Sequence, residues 1–303
     1  MFSEEKKTGG TAVALGYFDG IHLGHKAVLG KTLEMAEKMG LTPVVMLFDI
    51  HPRKLLTGSV PPVLLSEERK RKLLKEMGFE VFDFDFRRAM NYPAEEFEKK
   101  ILLQELNAKV VVCGYDYHYG KCGNGSAETL MKNLEPKNIG VYALPPVFWG
   151  EEAVSSTKIR HLISEGEIEK ANAMLGDYFT YDFTVERGDG IGHKMGFPTI
   201  NQFFPEDFII PKYGVYASRV KLDSKYYCAV TNVGVRPTVS GESLRSETCI
   251  FDFEGDLYGR NVEVSLLKFL REEKKFASLD ELKEAVNKDI KKAKETYKET
   301  EDK

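Results

Sequence analysis

Hydrophobic spacing changes its period once along this 303-residue chain, near Tyr181, and that change assigns the two parts to different architectures. Before it, short apolar runs (Ala12–Tyr17, Pro43–Phe48, Glu80–Phe84, Lys109–Cys113, Gly140–Leu144) alternate with stretches of helical spacing (His25–Met39, Glu67–Met77, Ala94–Leu106, Ala127–Leu134). Pro93 suits a first helical position, and Gly40 and Gly78 stand where helices should stop. Strands alternating with helices predict a doubly wound parallel sheet, whose ligands bind beyond the carboxyl ends of the strands. After the change, Tyr181–Arg187, Val215–Leu222, Tyr226–Val233, Glu247–Phe253 and Val262–Phe269 alternate polar and apolar residues between Gly, Asp, Asn and Pro. That pattern predicts a small antiparallel β-barrel. A tail from Ser278 to Tyr297 has one apolar face and opens with a capping box, Ser278 and Glu281, so it is read as a helix covering the barrel. With a helix over Glu167–Leu175 closing the first part, the expected domains are 1–178 and 179–303.

Composition narrows the function. Hydrophobic residues at 42% and charged residues at 30% suffice for two packed cores, which excludes a disordered chain. A net charge of −4 argues against a nucleic-acid binder. No apolar run approaches the ~20 residues that span a bilayer, and MFSEEKKTGG lacks the apolar region of a signal peptide. Cys113, Cys122, Cys228 and Cys249 form no CxxC pair and read as reduced thiols of a cytoplasmic protein.

The densest chemistry follows the first strand, in Gly16-Tyr17-Phe18-Asp19-Gly20-Ile21-His22-Leu23-Gly24-His25. Two histidines flank a glycine at the start of a helix, where amides and the helix dipole favour phosphate. The imidazoles can donate to oxygens that gain charge during phosphoryl chemistry. Five of the chain's six histidines precede residue 162, among them His51 after the second strand. Gly114–Gly120 offers aromatics that could stack on a ring, and Asp116, which could accept from a ribose or a base. The hydroxyl-rich Val154–Arg160 leads into a helix; Ser155 or Ser156 could cap it, leaving amides, hydroxyls and Arg160 for phosphates.

HxGH after a first strand, with a late SSTxIR, resembles the nucleotidylyltransferase superfamily and its Rossmann-type domain. In the forms GYFDGIHLGH, GYDYHYG and VSSTKIR, the chain is similar to the FAD synthetase module of the bifunctional bacterial riboflavin kinase/FAD synthetase family. The resemblance implies adenylylation of FMN by ATP, with release of pyrophosphate. It assigns His22 and His25 to polarising the ATP phosphates, and Gly16, Phe18, Asp19, Gly24, Ser155, Ser156, Thr157 and Arg160 to binding ATP. His51, Asp116 and Tyr119 are the residues expected to meet the flavin.

In the second part, Gly188–Asn201 contains GFPTIN, similar to the riboflavin kinase signature GxxxGFPTAN. Asn232–Thr238, Glu247–Gly259 and Phe269–Phe276 resemble that family's NxGxRPT, ExHxxDFxGDLYG and FxRxExKF segments. The resemblance implies phosphorylation of riboflavin to FMN by ATP, with Glu247 as the general base on the ribityl hydroxyl. Gly192, Lys194, Gly196, Pro198, Thr199, Asn201 and Asn232 are expected to bind ATP. Thr199 and Asn201 also offer oxygens to Mg²⁺. Arg271 divides between a flavin contact and a surface ion pair. His193 stands where the family often has Arg, Cys249 replaces a frequent His and Ile200 a frequent Ala. The expected partners are flavins and ATP, with no nucleic acid and no membrane; oligomeric state stays open. Competing readings are a nucleotidylyltransferase for another acceptor, with the barrel only binding, and a flavin-storing protein without catalysis.

Overall fold

In the computed structural model, residues 9–48, 60–188, 197–238 and 241–301 are described. His51, and Gly192, His193, Lys194 and Gly196 of the glycine-rich run, lie outside them. Within the described residues the chain groups into two compact units: 1–61 with 67–155, and 62–66 with 156–303.

The first unit is built on continuous apolar strands, the pattern of a sheet buried on both faces. Strand β1 (Thr11–Leu15) is buried at every residue. Helix α1 (Leu23–Met39) buries Val28, Leu29, Thr32, Met35 and Ala36, the i, i+3, i+4 stripe of an amphipathic helix, and stops at Gly40. Then come β2 (Thr42–Phe48), α2 (Glu67–Glu76), β3 (Glu80–Phe84), α3 (Phe86–Asn91) and α4 (Ala94–Phe97). The helix expected over Ala94–Leu106 is α-helical only in α4. Glu98–Glu105 winds more widely, closed by a bond from the Leu106 N–H to the Ile101 carbonyl. Pro93 is the cap of α4 rather than its first residue. Strand β4 (Ala108–Gly114), the short pair β5 (His118–Tyr119) and β6 (Gly125–Ser126), α5 (Ala127–Leu134), β7 (Gly140–Leu144) and the hairpin β8 (Phe148–Trp149) and β9 (Glu152–Ala153) complete the unit.

The main sheet runs β3-β2-β1-β4-β7 with parallel pairing throughout; Val13 faces Val44 on one side and Val111 on the other. The direction of winding reverses between β1 and β4. A crevice therefore opens at the carboxyl ends of these two strands, the usual ligand position in such sheets. The loops leaving it are Gly16–His22 and Gly114–Gly120.

The second unit begins with α6 (Ser156–Glu165) and α7 (Ile168–Leu175). Both helices group with the barrel, N-terminal to the expected functional boundary at 178/179. Asn172 is one reason: its amide donates to the Leu266 carbonyl at 2.9 Å and accepts from the Phe179 N–H at 2.7 Å. Val63 joins the same unit, donating to the Asp207 carbonyl and accepting from the Ile209 N–H.

Strands β10 (Phe179–Thr184), β11 (Thr199–Phe203), β12 (Gly214–Leu222), β13 (Lys225–Thr238), β14 (Gly241–Ile250) and β15 (Asn261–Arg271) form an antiparallel sheet in the order β10-β15-β12-β13-β14-β11. Its edges are drawn together by a bridge from Glu186 to Asn201 and by Gln202, whose amide donates to the Phe183 and Val262 carbonyls. The interior mixes buried Tyr181 and Tyr216 with a hydroxyl chain, Ser218 to Thr231 to Thr248, at 2.8 and 2.9 Å. Helix α8 (Leu279–Glu301) packs Ala293 on Ala217 and Leu267. Ser278 Oγ accepts from the Glu281 N–H, while Glu281 reaches back to the N–H of Ala277.

Candidate active sites

Backbone geometry aims the histidines of the first unit. Phe18 (φ 57°), Gly20 (φ 81°) and Ile21 (φ 42°) all take left-handed conformations, costly for a β-branched residue such as Ile21. Burial of Phe18 and Ile21 holds the turn in this shape. It ends at His22, the N-cap of α1, whose Nδ1 accepts from the His25 N–H at 3.3 Å. With Nδ1 accepting, a neutral His22 carries its proton on Nε2. The His22 and His25 rings stack with centroids 3.7 Å apart, and Phe18 meets His25 edge-on. Phe18, expected at the ATP, thus lies beneath the histidine; Asp19 is also buried. Gly24 lies so close under His22 that a Cβ there would sit 3.2 Å from its ring.

Burial keeps His25 well below the ordinary histidine value of 6.5, with His22 and Lys70 adding to the effect. An uncharged imidazole at a helix start is a hydrogen-bond donor whose charge does not depend on modest changes of pH. Lys70, on α2, escaped the sequence reading. Its side chain is 2% exposed, an unusual burial for an ammonium, and it contacts Tyr17 in the same turn. The only signal in the sequence is its place four residues before the buried Leu74, among charged neighbours that are mostly solvated.

On the loop after β4, Asp116 is exposed and Tyr115 is 56% exposed. Tyr119 is not available as a stacking surface: alternation along β5 turns it into the core, where its hydroxyl donates to the buried carboxylate of Glu98. Asn133 donates to the same oxygen at 3.0 Å. Ser155 is exposed and precedes α6; Ser156, Thr157 and Arg160 occupy the first turns of α6, in the second unit. Arg160 Nε donates to the Pro62 carbonyl at 2.6 Å.

In the barrel, register does what spacing alone could not. Asn201 on β11 and Asn232 on β13 both pair with Glu247 on β14, so the three side chains share one face in a row across three strands. Thr199 pairs with Cys249 two residues along the same face. Glu247 is held by Arg245, whose Nε and terminal nitrogen each lie 3.1 Å from its Oε1. Arg245 is buried, and the i, i+2 spacing on a strand was the signal for it. Gly188 crosses so close to the Asn201 amide that any side chain there would collide with it. Asn232 donates to Glu273 at 3.0 Å, a carboxylate that the sequence reading did not single out. Pro198 is exposed beside Thr199.

Arg271 forms an ion pair within the fold. Its guanidinium grips the buried Asp289 of α8 through Nε and a terminal nitrogen, at 3.0 and 2.8 Å, and donates to the Glu272 carbonyl. Among the described residues no cluster of three or more His, Cys, Asp or Glu could hold a metal ion. No helix there is long and apolar enough to cross a membrane. Among the described residues no disulfide joins the cysteines.

These features define a two-module transferase: a helix start carrying two histidines at the switch point of a parallel sheet, and a carboxylate flanked by amides on a β-barrel. Comparison with known proteins agrees. A family model described as FAD synthetase matches residues 4–158, and one described as riboflavin kinase matches residues 175–297. The Bacillus subtilis bifunctional riboflavin kinase/FMN adenylyltransferase is 33% identical over 92% of this chain and 90% of its own. Its Listeria monocytogenes counterpart is 34% identical over 91% and 89%. A crystal structure described as a macrolide-efflux protein from Streptococcus pneumoniae superposes with a TM-score of 0.84 at 32% identity, covering 95% of this chain and 94% of that one. The chain belongs to the bifunctional riboflavin kinase/FMN adenylyltransferase family.

Proposed function

We propose that the family's two reactions are divided between two sets of residues in this chain: riboflavin is phosphorylated at the barrel face around Glu247, and FMN is adenylylated at the loop carrying His22 and His25. The observation that carries the reading is the row Asn201, Glu247, Asn232, set by strand register. A purely binding barrel has no use for a carboxylate oriented by a buried guanidinium and flanked by two amides.

At the barrel, Glu247 takes the proton of the attacking ribityl hydroxyl, and Arg245 fixes the carboxylate's direction. Thr199, Asn201 and Asn232 meet the ATP phosphates, together with Pro198 and the run containing Gly192, Lys194 and Gly196. A Mg²⁺ ion fits this face, because Thr199 and Asn201 present neutral oxygens and Mg²⁺ on a nucleotide takes most of its ligands from phosphate and water rather than from an acidic cage. Bound there, it would neutralise charge on the transferred phosphoryl group. Arg271 supports the flavin side indirectly, by fixing the segment that follows β15 against α8.

In the adenylylation reaction, His22 and His25 donate to the ATP phosphates beside the amides of α1, with Gly16 and Gly24 keeping the backbone close and Phe18 and Asp19 forming the floor. Ser155, Ser156, Thr157 and Arg160 keep the pyrophosphate-holding role of the family motif. His51 and Asp116 meet the flavin, and Tyr119 anchors the loop that carries Asp116. By function, 1–178 is assigned to adenylylation and 179–303 to phosphorylation, with α6 and α7 grouped with the barrel while carrying part of the adenylylation motif, and the setting is cytoplasmic.

The test is a time course with riboflavin, ATP and Mg²⁺, resolved by chromatography, for the wild type, Glu247→Gln and His25→Ala. Glu247→Gln is expected to abolish FMN formation while still converting supplied FMN to FAD; His25→Ala is expected to do the reverse. Loss of both activities in either folded variant would refute the division.

A further inference from the structure

Lys70 is buried in the first unit, its side chain 2% exposed, although it belongs to neither set of reacting residues. An ammonium removed from water carries a large desolvation cost that its contacts must offset. Its Nζ lies 2.5 Å from Glu67, a carboxylate half in solvent, 3.4 Å from the Tyr17 carbonyl oxygen and 4.3 Å from the centre of the Tyr17 ring. Two of these contacts are to one residue, and that residue immediately precedes the left-handed turn at Phe18, Gly20 and Ile21. A turn with Ile21 at φ 42° persists only where its surroundings over-determine it. Burial of Phe18 and Ile21 fixes the turn from within, and Lys70 fixes its entry from α2.

We propose that Lys70 is a positioning residue for adenylyl transfer, pinning Tyr17 by carbonyl and ring and so holding the turn that aims His22 and His25. The proposal rests on the adenylylation reading above. At 2% exposure the ammonium is walled off from ligand, so it acts through the loop and not by touching ATP. Its charge has a second consequence. The groups facing His25 are the stacked His22, the edge of Phe18 and Lys70, with buried Asp19 in the same turn. Burial first, then His22 and lastly Lys70 hold the charge off His25.

The experiment compares Lys70→Met, Lys70→Gln and Lys70→Arg in the full chain, with near-UV circular dichroism and the urea midpoint as the controls for folding and riboflavin phosphorylation as the control for the second unit. For Lys70→Met, kcat for FMN adenylylation is expected to fall by about tenfold or more, the scale of a misplaced catalytic group. KM for ATP should change little and phosphorylation should persist. Lys70→Arg should recover most of the loss. In parallel, the ring proton of His25 is titrated by NMR, assigned with His25→Gln; its midpoint should move up toward 6.5 in Lys70→Met and Lys70→Gln but not in Lys70→Arg. Should Lys70→Met fail to fold, Lys70→Gln reads both quantities. A loss confined to KM for ATP would overturn the proposal by making Lys70 a phosphate ligand, and unchanged kcat would overturn it outright. If the wild type forms no FAD from FMN, the adenylylation reading fails on its own; hydrogen exchange of the Phe18–His22 amides still judges Lys70, and exchange unchanged in Lys70→Met refutes the pinning of the turn.

Discussion

Substituting Gly24 by alanine sets two effects of opposite sign against each other in one helical turn. Gly24 is the second residue of α1, and alanine inside a helix is favoured over glycine by about 0.8–1 kcal/mol. Against this, the new Cβ would stand 3.2 Å from His22 Cε1 and 3.3 Å from Nδ1, tighter than ordinary contact by a few tenths of an ångström. The His22 ring cannot yield freely, because His25 stacks on it at 3.7 Å and its Nδ1 receives the His25 N–H. The cost of that small displacement largely cancels the propensity gain, so stability should stay within about 1 kcal/mol of the wild type. Activity should not. A displaced imidazole loses its line to the phosphate, and kcat for adenylylation is expected to fall by about 10- to 100-fold. The assay is FAD formation from supplied FMN, with riboflavin phosphorylation and the urea midpoint measured on the same preparation. A variant that adenylylates within about twofold of the wild type would refute the argument that the HxGH glycine exists to make room for His22.

Three further outcomes follow from the geometry. Arg271→Met leaves the buried Asp289 carboxylate unpaired; with the arginine itself 27% exposed, the loss is put at about 2–3 kcal/mol, and the amides of α8 should exchange hydrogen faster, an effect that Asp289→Leu in the same chain should largely reverse. His25 is held below 6.5 in the folded chain but titrates near that value when unfolded, so the unfolded chain binds more protons as pH falls. The stabilisation is complete above about 6.5 and is lost below it, and His25→Gln should flatten that part of the urea-midpoint profile between pH 8 and pH 5. Burial pushes the Cys113 thiol up to about 12, whereas Cys122 is exposed; iodoacetamide at pH 8 should label Cys122 in the native protein and reach Cys113 only in denaturant.

Much of this molecule is legible in one dimension because its signals are local. Apolar runs such as Thr11–Leu15 declare buried parallel strands by composition alone, and the stripe Val28, Leu29, Thr32, Met35 declares the buried face of α1 by spacing. The change of period near Tyr181 separates the sheet architectures, and GFPTIN and HxGH mark chemistry because glycines, hydroxyls and imidazoles are clustered within a few residues. Strand β11 was the exception. Thr199–Phe203 carries Asn201 and Gln202 side by side and so lacks alternation, yet both are buried: Gln202 satisfies carbonyls across the barrel seam, and Asn201 lies under Gly188.

What the sequence could not hold is whatever depends on two distant segments meeting. Tyr119 reads as a ring-stacking residue until β5 turns it toward Glu98, 21 residues away. Arg271 has its buried partner only because α8 brings Asp289 to it. The row of Asn201, Glu247 and Asn232 exists only through the register of three strands, and Lys70 meets Tyr17 across 53 residues of chain. Residue types and short spacings thus determined the fold class, the two modules and the chemistry available to each. Tertiary structure alone decided which polar side chains face a ligand and which are used to hold the fold, because burying a polar group requires a partner and that partner is supplied by a different part of the chain.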